Sequence, residues 1–171
     1  MKEIIYNGNY ITTSEEIIDG HTYERTELIP NVHVLPIRDN KILLMKEFRA
    51  HEKGYRWKLV SGWCDKTGKG PLEHAQDELA EEVGMEAGHW EELLYANAPN
   101  ATVNLNTYYY VCTDISELQQ PIENPDIHST VLEYNWFSFD DIFRLINEKK
   151  MWPGASSMMA VWYLYKLNST V

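Results

Sequence analysis

Two cysteines in 171 residues, Cys64 and Cys112, are too few for a disulfide framework and lack the spacing of a metal-binding pair. Reduced thiols in a cytoplasmic protein are the expected state. No apolar run is long enough to span a bilayer, and Lys2, Glu3, Glu15, Glu16 and Asp19 break up the first stretch. Neither a membrane partner nor a secretory leader is therefore expected. Basic residues are also scarce: 15 Lys and Arg stand against 26 Asp and Glu, a formal charge of −11. Such a field repels a polyanion, so no nucleic-acid partner is expected. A small anion can bind only where cations gather locally, which turns attention to metals. What is present is ordinary for a globular chain. With 44% hydrophobic and 24% charged residues neither disorder nor a membrane protein is indicated, and residues 1–171 suffice for one domain with its own core.

Turn signals at Asn7-Gly8 and Asp19-Gly20 punctuate an N-terminal β segment over residues 1–28. Residues 31–36 and 41–45 read as strands paired around Asp39-Asn40. A short strand at 56–60 runs into a Gly-rich loop at 61–70. Further strands are predicted at 90–96, 107–112 and 131–137, and closing helices at 139–147 and 155–167. Ser138 followed by Asp141 fits the N-cap of the first closing helix. Strands interleaved with three helices predict an α/β sandwich with a mixed sheet.

The segment 71–83 has the clearest helical signature. Gly70 suits the N-cap, Pro71 the first helical position and Gly84 the C-terminal cap. Leu72, Ala75, Leu79 and Val83 recur at three- and four-residue steps and predict the buried stripe. Beside that stripe lie Asp77, Glu78, Glu81 and Glu82, with no Lys or Arg between Pro71 and Glu92. Asp77–Glu81 and Glu78–Glu82 are like-charge pairs one turn apart, each costing a helix roughly 0.2–0.5 kcal/mol. Charge runs are usually solvated faces. Here Glu78 and Glu82 flank the apolar stripe, a placement that favours a hard cation with oxygen ligands, Mg²⁺ or Mn²⁺.

The run ELAEEVGM at 78–85 resembles the second half of the Nudix box, E-U-x-E-E-x-G-U with U aliphatic, at every specified place. The resemblance implies a Nudix-type α/β/α sandwich, with Glu78, Glu81 and Glu82 at the family's catalytic and metal-binding glutamates and Gly62 beside them. The first half of the box departs from the pattern: Asp77 stands at its arginine and Lys69 at its first glutamate. One extra loop residue lets Gly62 serve as the leading glycine, and Gly62, Asp65 and Gly68 then align with the loop of ADP-ribose pyrophosphatases. The two departures exchange signs, so Lys69 and Asp77 either pair across the loop–helix junction or are two independent substitutions.

The resemblance continues outside the box. KEFRAHEKGYRWKLVSG at 46–62 is similar to the family's strand–loop–strand lead-in, which implies substrate contact by Arg49. Pro99 falls near the marker proline of ADP-ribose-type members, and Asn104 replaces their acidic residue nearby. ENPDI at 123–127 resembles an acidic loop that supplies a further glutamate, and MWPGASSMMAVWYL at 151–164 a C-terminal helix. The general base stays open among Glu123, Asp126 and Glu133 on one side and Glu81 or Glu82 on the other. Arg49 and Arg56 suit phosphate contact, because a guanidinium fork matches phosphate oxygens; a surface salt bridge is the plainer role for Arg56. Trp57, Trp63 and the tyrosines at 108–110 could stack on a base, yet aromatics at strand spacing are more often core. His33 reads as a packed, hydrogen-bonded histidine. His74, one turn before Glu78, is a weak metal ligand beside oxygen-loving cations.

The leading expectation is metal-dependent hydrolysis of a nucleoside diphosphate derivative, ADP-ribose or a nucleotide sugar. The products would be a nucleoside monophosphate and a phosphorylated second moiety. The alternatives are a catalytically impaired Nudix module that binds a nucleotide as a sensor, and an interaction domain whose acidic helix is merely solvated. By analogy with ADP-ribose pyrophosphatases, the N-terminal β segment is expected to form a homodimer.

Overall fold

The computed structural model describes residues 2–49, 53–97, 102–120, 131–151 and 154–168. The chain opens with an antiparallel meander, β1 (Lys2–Asn7), β2 (Ile11–Ile18) and β3 (His21–Leu28). Asp19 and Gly20 both take positive φ, 51° and 79°, as a tight two-residue hairpin requires. A second hairpin, β4 (Asn31–Arg38) and β5 (Lys41–Arg49), turns at Asp39-Asn40, again with both residues at positive φ.

The hairpin's strands pair beside their turn, at Ile37–Ile42 and Arg38–Lys41. Farther out, β6 (Gly54–Lys58) takes the edge of β5, and β7 (Val60–Trp63) takes the edge of β4. The strand expected at 56–60 is therefore two strands broken at Leu59, because the chain crosses there from one partner to the other. For the same reason the start of the expected Gly-rich loop, Ser61 to Trp63, is extended strand. Val32 stands opposite Gly62 in this register, which sets the loop that follows against the middle of the sheet.

Next come α1 (Pro71–Val83), β8 (Met85–Asn97), the short β9 (Val103–Asn104), β10 (Asn106–Glu117), β11 (Val131–Phe137), α2 (Phe139–Asn147) and α3 (Ala155–Asn168). The main sheet runs β11-β5-β4-β10-β8, with β4 and β10 parallel and its other pairings antiparallel. The meander forms a separate sheet, extended by β9 alongside β3.

Strand alternation divides the core in two. Val32, Val34, Leu43, Met45, Tyr110 and Cys112 meet Ala75, Leu79 and Val83 of α1 on one face. Leu35, Ile42, Leu44, Tyr109 and Val111 point the other way, to Ile142 and Leu145 of α2 and Met159, Ala160 and Leu164 of α3. Each fully buried aliphatic side chain contributes roughly 1.5–3 kcal/mol. The result is the expected α/β/α sandwich around a mixed sheet.

The ends of α1 follow the sequence signals. Pro71 opens it, the Glu73 carboxylate accepts from the Gly70 N–H at 2.8 Å, and Gly84 closes it with φ 67°. One expectation needs correction: Leu72 is exposed, and His74 joins Ala75, Leu79 and Val83 in the buried set. The first turn overhangs the sheet core, so its inward position packs on the preceding loop instead. α2 has the reciprocal cap expected of Ser138 and Asp141: the Asp141 N–H donates to Ser138 Oγ at 3.3 Å and the Ser138 N–H to Asp141 Oδ2 at 3.2 Å. Among the described residues, no helix is long and apolar enough to cross a membrane.

Candidate active site

Glu78, Glu81 and Glu82 stand on successive turns of α1, and Glu78 is pressed against β7. A Cβ added to Gly62 would overlap the Glu78 carboxylate, so only glycine lets strand and side chain approach this closely. Burial pushes the Glu78 carboxyl up to about 7, repulsion from Glu82 and Glu81 adds to the rise, and the charges of Lys66 and Lys58 oppose it. A carboxylate this reluctant to ionise is stabilised by any cation brought to it. Lys58 is itself buried. It points to the α1 side of the sheet by strand alternation and pairs with Glu47 at 2.9 Å.

The loop between β7 and α1 supplies the cations that the helix lacks. Lys69 Nζ lies 2.5 Å from Asp77 Oδ2, the pairing that the exchanged signs allow. Lys66, which the sequence reading passed over, donates to Asp77 at 3.0 Å and to Glu81 Oε1 at 2.6 Å. It thereby bridges one of the two like-charge pairs. Burial would raise the Asp77 carboxyl, but its hydrogen bonds from Lys69 and Lys66 overcome that and hold it below the usual carboxylate range. Burial likewise disfavours the Lys66 ammonium, and its bonds to Glu81 and Asp77 hold it above the ordinary lysine value.

His74 fastens the loop from beneath. Its Nε2 accepts from the Lys66 N–H at 3.0 Å, and its Nδ1 donates to the Gly70 carbonyl at 2.9 Å. That pattern suits an imidazole carrying its proton on Nδ1. His74 is therefore a buried clamp between loop and helix.

The other candidates are placed as follows. Glu133 pairs with Lys46 at 2.8 Å, and Lys46 Nζ lies 5.6 Å from the centre of the Trp57 ring in the α2–α3 core. That is the sheet face opposite α1, so Glu133 is not brought to the helical glutamates. Arg56 stands across from Glu47, on the α1 side by alternation, and donates to the Tyr55 carbonyl at 2.9 Å. Arg49 ends β5, and its side chain lies outside the described residues, as do Pro99, Glu123 and Asp126 entirely. Trp57 and Tyr109 are core, Trp63 packs on Tyr10 and Tyr110 on Trp90.

Oxygen donors on Glu78 and Glu82, beside the main chain of Gly62, are the hard ligands that Mg²⁺ or Mn²⁺ prefers. The charge repulsion at Glu78 is what such an ion relieves, so the residues fit one. Among the described residues, no three His, Cys, Asp or Glu side chains converge as a finished ligand set, and Glu81 is engaged by Lys66. Lys66 and the Lys58–Glu47 pair are the residues that sequence reasoning missed. Lys58 left a faint signal, a charge at an inward strand position. Lys66 left none, since its reach depends on how the loop folds back.

A family model described as the NUDIX domain matches residues 27–161, a span that takes in Gly62, the lysine-bearing loop and all of α1. An ADP-ribose pyrophosphatase of Mycobacterium tuberculosis is 30% identical over 101 residues, covering 58% of this chain and 49% of that protein. The match thus spans about half the length of this curated relative. The crystal structure of an ADP compounds hydrolase superimposes with a TM-score of 0.78 at 18% identity, covering 99% of this chain and 92% of that one. At that identity the likeness shows the fold.

Proposed function

Because this chain belongs to the NUDIX family, we propose that it hydrolyses the diphosphate of a nucleoside diphosphate derivative, ADP-ribose or a nucleotide sugar. It would release a nucleoside monophosphate and a phosphorylated second moiety. The observation that carries the reading is the Glu78 carboxylate, half-buried against Gly62 with Glu82 and Glu81 close enough to repel its charge. Carboxylates held this close to one another suit a hard cation with oxygen ligands. The name of the mycobacterial relative supports a substrate of the ADP-ribose class.

Glu78 and Glu82, with Gly62, would hold Mg²⁺ or Mn²⁺, whose charge offsets that of the diphosphate. Glu81 stands beside them at the end of the Lys66 bridge, where a carboxylate can accept a proton from an attacking water. Arg56, on the α1 side of the sheet, would add positive charge for an anionic substrate in a chain that is otherwise strongly acidic.

The test is a panel of nucleoside diphosphate derivatives assayed with purified protein and Mg²⁺ or Mn²⁺. Monophosphate release from at least one is expected, and Glu82→Gln should cut it by more than about a hundredfold with the fold intact, since outer partners of a metal site alone cost 10–100-fold. No product from any member would sink the reading. Thermal stabilisation by ADP-ribose without cleavage would favour a nucleotide-binding sensor instead.

The N-terminal meander exposes Ile4 and Ile5 on its edge strand β1 and Ile17 on β2, each more than half exposed. These exposed isoleucines support a homodimer formed through this sheet; a monomeric mass in sedimentation would contradict it. Two cysteines without a disulfide support work in a reducing compartment, the cytoplasm. Oxidation of the native protein to a disulfide form in cell extracts would argue against that placement.

A further inference from the structure

The helix carries two like-charge pairs, and the structure treats them differently. Glu78 lies against Gly62, with Glu82 close enough to repel its charge. Asp77 and Glu81 have one ammonium set between them, Lys66 Nζ, at 3.0 and 2.6 Å. A lysine side chain has four rotatable bonds and ordinarily gains little from one surface partner. Lys66 is constrained at both ends. Its backbone N–H is tied to the buried His74, and its ammonium to two carboxylates that are themselves largely shielded from solvent. Asp77 has a second cation in Lys69, so it does not need Lys66 for neutralisation. The shorter of the two Lys66 bonds runs on to Glu81.

We infer that Lys66 is a positioning residue: anchored through Asp77 and His74, it fixes where the Glu81 carboxylate stands in the site. Asp77 and Lys69 act behind it as the fixed end of the bridge. The chain of contacts Lys69–Asp77–Lys66–Glu81 gives the helix, which has no cation of its own, a loop-borne cation with a defined reach. The inference rests on the reading of Glu81 as part of the reaction site.

Two measurements test it separately from that reading. In steady-state kinetics, Lys66→Ala should lower kcat by roughly 10–100-fold, the usual effect of removing a group that orients an active-site carboxylate. KM should stay within about threefold of wild type, as expected of a bridge that places Glu81 rather than binding substrate. Lys66→Arg, which keeps charge and reach, should recover most of the loss. In crystal structures of wild-type and Lys66→Ala protein, the Glu81 carboxylate should hold one position in the first and shift or split in the second. A Lys66→Ala enzyme with wild-type kcat, an arginine variant no better than alanine, or a Glu81 side chain unmoved by the substitution overturns the inference. If the wild type itself turns nothing over, the functional reading fails, and the crystallographic comparison still decides whether Lys66 places Glu81.

Discussion

On the α2–α3 face of the central sheet, His33 is half-buried over Tyr109 with its Nδ1 3.1 Å from Ser156 Oγ. Burial, helped by the charge of Lys58, drives its imidazole down to about 3, so it stays neutral. On the α1 face, Glu78 is half-buried too, but among carboxylates, and near neutral pH it stands at the edge of ionisation. One face thus settles its titratable group with a hydroxyl and a ring. The other gathers groups that oppose each other's charge. A core has no use for the second arrangement, because it costs stability unless a cation arrives. The difference supports the proposal that α1 is the functional side more firmly than the number of its acidic residues does.

The largest effect expected from breaking this contrast is at Gly62. A Cβ there displaces the Glu78 carboxylate, the far end of a flexible side chain, so Gly62→Ala should reduce turnover at least about tenfold while changing stability by less than about 1 kcal/mol. Denaturant unfolding and kcat measured on the same sample check both. An alanine variant with unchanged activity would mean that Glu78 has no fixed station.

Next comes a pair of opposite pH profiles in metal-free buffer. Below about 6.5 the unfolded chain protonates His33 while the folded chain does not, so wild-type stability falls as pH drops towards 3. His33→Gln removes that penalty. Apart from a constant offset for the lost hydrogen bond, it should gain on wild type by up to about 3 kcal/mol at pH 4. Glu78 runs the other way. Its folded-state value is raised from 4.5 to about 7, so the folded protein holds a proton that the unfolded chain has released. Stability is lost as pH rises across that window. Glu78→Gln should therefore match wild type near pH 4 and exceed it at pH 8, by about 1–3 kcal/mol. Thermal melts across pH read both slopes. Parallel profiles for the two variants would erase the distinction between the faces. Adding Mn²⁺ at pH 8 should stabilise wild type and leave Glu78→Gln nearly unmoved, the smallest of these shifts.

Much of this was legible before any coordinates. Gly70-Pro71 and Gly84 mark the ends of α1 because each has a local conformational reason to be there. Ala75, Leu79 and Val83 were readable as its buried stripe because periodicity reports a face. Leu72 was not, because periodicity cannot say where a helix overhangs its core. The break at Leu59 was hidden for a similar reason: β6 and β7 differ in partner, and composition is blind to pairing. Glu133 was recognisable as an acid on a strand, but its face is set by standing opposite Lys46 in the register. The Lys69–Asp77 pair could be suspected from exchanged signs. Lys66 could not, since its contact with Glu81 spans fifteen residues and exists only once His74 has folded the loop back.

The central claim is that one face of α1 binds a divalent cation which in turn holds a diphosphate. Its most direct test is a crystal grown with Mn²⁺ and ADP-ribose, or a non-hydrolysable analogue, with the metal located by its anomalous signal. Manganese bonded to Glu78 and Glu82 oxygens and to the diphosphate is the predicted result. Metal bound elsewhere, with those glutamates turned to bulk water, would contradict it.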